Sequence, residues 1–128
     1  MQVIDKLVMF HLAVSDMDKT KAFYEEKLGC QVTNDQAYGE QRWVSMEFPG
    51  GGVSMNFTTV HENMKPGTYK LYLSSPDVAA AYEALVSKGV KPAKELADDW
   101  GKWEGNGEGG KWFALNDPDG NQLLIIPA

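Results

Sequence analysis

With 128 residues, 43% of them hydrophobic and 23% charged, the chain has the make-up of one soluble globular domain and too little length for two ordinary ones. A formal net charge of −6 argues against nucleic acid or an anionic membrane as partner and mildly favours a cationic ligand. The single cysteine, Cys30, excludes an intrachain disulfide and a cysteine-held zinc, and beside Gly29 it reads as a small buried hydrophobe.

Residues 1–6 lack the basic start and apolar core of a secretory leader, and no apolar run reaches membrane-spanning length, so a cytoplasmic location is expected. Leu7 to Val14 reads as a strand. Ser15, with Asp18 three residues on, has the spacing of a capping box and opens a helix that closes at Leu28-Gly29. Strand-like segments follow at Cys30–Tyr38, Gln41–Phe48 and Val53–Thr59, separated by Gly39 and by the turn Pro49-Gly50-Gly51-Gly52. The glycine run lacks the lysine and following helix of a phosphate loop. Tyr69 to Leu73 is the next strand, and Ser75-Pro76 supplies an N-cap with proline at the first helical position. Val78, Ala81, Tyr82, Leu85 and Val86 then make one apolar helical stripe, stopped by Gly89. A short segment near Pro92–Leu96 and strands at Lys111–Asn116 and Gln122–Pro127 complete the order, the last two joined by Asp117-Pro118-Asp119-Gly120-Asn121. Between Ala97 and Gly110 lies a glycine-rich, acidic stretch with Trp100 and Trp103, which reads as a long lid or binding loop.

The chain repeats itself. An offset of 61 residues carries Asp16 onto Asp77 and Tyr24 onto Leu85, and the terminal glycines fall within one residue of register. Such self-similarity marks two copies of one supersecondary unit, here βαβββ, within one α+β domain over 1–128. The first module covers about 1–62 and the second about 66–128.

Two βαβββ units, the Asp16…Phe23-Tyr24…Leu28-Gly29 pattern and the closing Asn116-Asp117-Pro118-Asp119-Gly120-Asn121 resemble the vicinal-oxygen-chelate superfamily of glyoxalases, bleomycin-resistance proteins and extradiol dioxygenases. The resemblance spans nearly the whole chain. It implies a curled mixed sheet built from two half-sheets around a cleft, and it implies a homodimer. In metal-dependent members the ion's ligands include a residue seven before the aspartate that starts the first helix. Here that residue is Met9, its counterpart in the second half is Lys70, and the place of the usual closing-strand glutamate holds Leu124. Thioether, ammonium and hydrocarbon are not the hard or borderline donors such chemistry requires. The expectation is no metal at the usual site and no cofactor.

Strand alternation sets Val8, Phe10, Leu12 and Val14 on one side, under the helices, and Leu7, Met9, His11 and Ala13 on the other. The repeat matches the latter with Lys70, Tyr72 and Ser74, while Leu124 and Ile126 add apolar surface to the cleft. Two roles suit His11: general base or hydrogen-bond partner of a ligand, or a structural cleft or dimer histidine. Lys70 suits an anionic group or a stem that packs with its ammonium at the rim, and Tyr72 suits a binding hydroxyl or ordinary packing. Trp43 and Glu47 alternate along one strand toward the cleft. Trp100 and Trp103 suit either closure over a flat or cationic ligand or a dimer seam, and Trp112 reads as core. His61 reads as a loop residue, and a displaced metal site from His11, His61 and Glu47 has no support in spacing. Ser45, Ser54 and Ser74 lack a nucleophile elbow.

The function expected is metal-free binding of a small organic molecule, aromatic or cationic, by a dimer that sequesters it as the bleomycin-resistance branch does. The alternative is a lyase, isomerase or transferase of glyoxalase type working through His11, Lys70 and Tyr72 or through a displaced metal. A structural or regulatory dimer without a small ligand is the third class.

Overall fold

The computed structural model describes residues 3–59, 63–101 and 110–128. The chain divides into two compact units, Met1–Pro66 and Gly67–Ala128. Each unit runs βαβββ, as the repeat predicts, and each builds an open four-stranded mixed sheet.

In the first unit, β1 (Met9–Ala13), α1 (Met17–Ala22), β2 (Gln31–Tyr38), β3 (Gln41–Glu47) and β4 (Ser54–Thr58) give the sheet order β1-β4-β3-β2. β1 lies parallel to β4 and the other pairs are antiparallel. A π-helical turn over Phe23–Lys27 prolongs α1, and the chain leaves it through Gly29 at φ +77, with the Cys30 amide closing onto the Tyr24 carbonyl. The helix-side face of the sheet is fully buried at Leu12, Val44, Met46, Met55 and Phe57, and Tyr24 packs on Phe57 with ring centroids 4.9 Å apart. Each such side chain contributes about 1.5–3 kcal/mol by leaving water. Val8 is exposed and Phe10 only half-buried, so the apolar side of β1 is covered from Leu12 onward.

The second unit repeats the order with β5 (Lys70–Ser75), α2 (Val78–Ser87), β6 (Lys94–Trp100), β7 (Gly110–Asn116) and β8 (Gln122–Pro127), arranged β5-β8-β7-β6. Phe113, Leu115, Leu123 and Ile125 form its core with Val78 and Leu85 of α2, and Tyr82 meets Phe113 edge-on at 5.1 Å. Val86, expected in the helix stripe, is exposed: near the end of a ten-residue helix it has rotated past the sheet. The closing turn is tied by Asp117 and Asn121, both buried. The Asn121 side chain donates to Asp117 Oδ2 at 2.8 Å and accepts from the Tyr69 amide at 2.9 Å.

Two local expectations are corrected. The helices are capped by Asp16 and Asp77, not by Ser15 and Ser75. Both aspartates are extended, and their carboxylates accept from the amides of Lys19 and Ala80 at 3.1 and 3.0 Å. Pro76 therefore precedes the cap, and Ser75 Oγ accepts from the Asp77 amide. Strand β6 runs through Trp100, where a loop is expected from Ala97 onward. Two register shifts keep this edge paired with β7 despite its acidic sequence. Among the described residues no helix is long and apolar enough to cross a membrane.

Candidate functional site

The face of the first sheet opposite α1 is polar. Residues directly opposed across a ladder share a face, and the register sets Met9 against Ser54, His11 against Asn56, and Ala13 against Thr58. It sets Ser45 and Trp43 of β3 against the same Asn56 and Thr58. His11 is exposed, and its ring meets Trp43 edge-on with centroids 4.8 Å apart. Behind them runs a hydrogen-bonded chain. Trp43 Nε1 donates to Ser45 Oγ at 3.3 Å, Ser45 Oγ donates to Asn56 Oδ1, and Asn56 Nδ2 donates to Met9 Sδ at 2.7 Å. Asn56 is fully buried, and this chain satisfies both ends of its amide, as burial of a polar group demands. Met9, His11 and Trp43 are thus brought together. Glu47 lies one alternation beyond Ser45, half-buried.

The second sheet carries an aromatic row on its face opposite α2. Lys70, Tyr72 and Ser74 alternate outward on β5, with Tyr72 54% exposed and paired to Leu124, which is itself paired to Ala114. Trp112, one alternation from Ala114, faces the same way. Trp100 bridges them, its ring 6.1 Å from Tyr72 and 5.9 Å from Trp112, tilted in both contacts. Lys70 Nζ stands 5.8 Å from the Tyr72 ring centre and Lys94 Nζ 5.6 Å from that of Trp112. Trp112 Nε1 donates to Asp99 Oδ1 at 2.7 Å.

Trp112 is a correction: it is half-buried within this row, not part of the core, which Phe113 and Leu115 fill instead. The alternation used on β1 would have found it, because Trp112, Ala114 and Asn116 share a parity opposite to Phe113 and Leu115. Asn56 and Lys94 were also missed. Asn56 has no signal in sequence, since its place depends on pairing with two strands at once. Trp103 and His61 lie outside the described residues, and so therefore does the His11, His61 and Glu47 combination.

The side chains at the points that the resemblance assigns to metal ligands are not donors suited to a divalent ion. The Met9 sulfur is engaged by the Asn56 amide, Lys70 carries an ammonium, and Leu124 is a buried hydrocarbon. Among the described residues no three His, Cys, Asp or Glu side chains are grouped to share a metal. Cys30 is buried, and loss of solvation pushes its thiol up to about 12, which keeps it protonated and unreactive. The charged cluster of the first unit is structural. Arg42 reaches Asp35 at 2.9 Å and Asp18 at 2.5 Å, and Lys21 reaches Asp35 at 3.0 Å, which joins α1 to the β2–β3 edge.

Comparison with known proteins agrees with this architecture. The model of the Glyoxalase/Bleomycin resistance protein/Dioxygenase superfamily matches residues 4–125. No curated protein matches the sequence. Among solved structures, TnmS3, described as an antibiotic binding protein from Streptomyces sp. CB03234, is 28% identical, with a TM-score of 0.82 over 100% of both chains. A glyoxalase/bleomycin resistance protein from the same organism is also 28% identical, with a TM-score of 0.74 over 94% of this chain and 99% of that one. A superfamily member from Sphaerobacter thermophilus DSM 20745 is 26% identical, with a TM-score of 0.81 over 99% and 100%. With the twofold βαβββ order and a family match over nearly its whole length, the chain belongs to the Glyoxalase/Bleomycin resistance protein/Dioxygenase superfamily.

Proposed function

We propose that this protein binds a flat aromatic small molecule on the Tyr72, Trp100 and Trp112 row and sequesters it without metal. The observation that carries the reading is the row itself: three aromatic rings in successive contact, with Tyr72 54% exposed. Stacking on such a surface stabilises a planar ligand through area and ring electrostatics. The likeness to an antibiotic-binding protein over the full chain supports the same reading. So does the donor set at Met9, Lys70 and Leu124, which is unsuited to Lewis-acid chemistry. We further propose that it works as a homodimer. Val3, Ile4, Leu7 and Val8 are exposed just ahead of the edge strand β1, an apolar segment that association would cover.

The test is a thermal-shift series on chelator-treated protein, with Ni²⁺, Zn²⁺, Mn²⁺ and Fe²⁺ in one arm and planar aromatic compounds in the other. A ligand that binds only the folded state raises the melting temperature once it exceeds its dissociation constant. Stabilisation by aromatic compounds, lost in Trp112→Leu, is the expected result. A saturable metal-dependent rise that disappears in His11→Ala would replace this reading with the glyoxalase-type enzyme.

A further inference from the structure

We infer that the ligand taken by the aromatic row is a planar aromatic acid, its anionic oxygen held by Lys70 or Lys94. The inference rests on the small-molecule reading above and reverses the expectation that net charge alone suggests. The chain is acidic overall at −6, yet a cationic side chain stands at each end of the row. Lys70 stands over the Tyr72 ring at one end, and Lys94 over the Trp112 ring at the other. Both lysines are exposed.

The geometry favours an anion for three reasons. A lysine near a ring face is attracted by the π-system and keeps N–H donors for a ligand; Lys94 gives one of its three to the Glu95 carbonyl at 3.4 Å. The Asp99 carboxylate on the row accepts the Trp112 indole N–H at Oδ1, so it orients the ring. A cationic ligand would compete with two resident ammonium groups for the same aromatic faces and would be repelled by both. A ring with a carboxylate or phenolate substituent would instead stack on the indoles and receive a charge-assisted hydrogen bond at its edge. The two lysines sit at opposite ends of the row, so an acid can be accepted in either direction.

Three probes with one shared ring system separate charge from stacking: 2-naphthoate, 2-naphthamide and (2-naphthylmethyl)ammonium, titrated calorimetrically into the full chain at low ionic strength. The acid should bind about tenfold tighter than the amide, the worth of one solvent-exposed charged hydrogen bond. The ammonium compound should bind more weakly than the amide. In Lys70→Met/Lys94→Met the acid-over-amide ratio should fall to about one, and Lys70→Arg/Lys94→Arg should restore it. High salt should shrink the ratio in the unaltered protein. Equal binding of acid and amide, both lost in Trp112→Leu, overturns the charge inference and leaves the aromatic reading standing. Tighter binding of the ammonium probe, or a ratio that survives loss of both lysines, also overturns it. Failure of all three probes overturns this inference and the aromatic reading together.

Discussion

The side-chain amide of Asn56 donates to the sulfur of Met9 at 2.7 Å, joining β4 to its parallel neighbour β1 on the polar face of the first sheet. The Met9 sulfur thus answers a buried amide. The same Asn56 accepts from Ser45, which in turn receives the Trp43 indole N–H. One fully buried side chain thus ties together Met9 and Ser45 beside His11.

Replacing Asn56 by Leu should therefore be expensive out of proportion to its volume change. It leaves the Ser45 hydroxyl without its acceptor in a buried setting, where an unsatisfied group costs roughly 1–3 kcal/mol. Urea unfolding of Asn56→Leu, Ser45→Ala and the double variant measures this. The double variant should lose less stability than the sum of the singles, because Ser45→Ala removes the group that Asn56→Leu strands. Additive losses would show that the two side chains act independently.

Gly67 and Gly120 test how tightly the closing turn is packed. Both have positive φ, +81 and +91. A Cβ at Gly67 would lie 2.3 Å from the Asp119 carbonyl oxygen, whereas one at Gly120 would meet open space. Alanine at either position strains the backbone by about 1–2 kcal/mol. Only Gly67→Ala adds a collision with main chain. Its urea midpoint should fall clearly below that of Gly120→Ala, and equal midpoints would remove the close approach as an explanation.

Stability should depend on pH through Asp35. The hydrogen bond from Arg42 first, and then that from Lys21, lowers its carboxyl to about 2. A depressed carboxyl contributes stability in full above its unfolded value near 4, and that contribution is lost as pH falls through the folded value near 2. Urea midpoints measured from pH 5 to pH 2 should drop, and the drop should be shallower in Asp35→Asn. The pairs are partly exposed, so the difference between the proteins should shrink in high salt.

What was legible in the sequence is what depends on period and spacing. The alternation from Met9 to Ala13 separated exposed His11 from buried Leu12, and the 61-residue offset aligned Asp16 with Asp77, which the structure shows as the two helix caps. Serine and aspartate serve as caps equally well, so the sequence favours Ser15 as readily as Asp16. Only the backbone shows which of them is extended at the helix start. Contacts between strands far apart in sequence were out of reach. His11 meets Trp43, and Lys94 meets Trp112, only once the ladders fix their register. Net charge has the same shortcoming, since a sum over the chain carries no information about which charges flank the aromatic row.

Thr20 offers a gain in stability. It lies in α1, wholly buried, and its Oγ1 finds no hydrogen-bond partner among the described residues. A threonine hydroxyl in a helix can bond back to the carbonyl four residues earlier, but Thr20 Oγ1 makes no such bond to Asp16. Valine has the same branched shape, so Thr20→Val exchanges the unpaired hydroxyl for a methyl group with little change in packing. Helix propensity differs little between the two residues and does not offset the benefit. The variant should be more stable by about 1 kcal/mol, the lower end of the penalty for a stranded buried polar group. Urea unfolding with an unchanged slope and a raised midpoint would register the gain. A lowered midpoint would mean that the hydroxyl is satisfied in solution, by ordered water or by local adjustment of the first turn of α1.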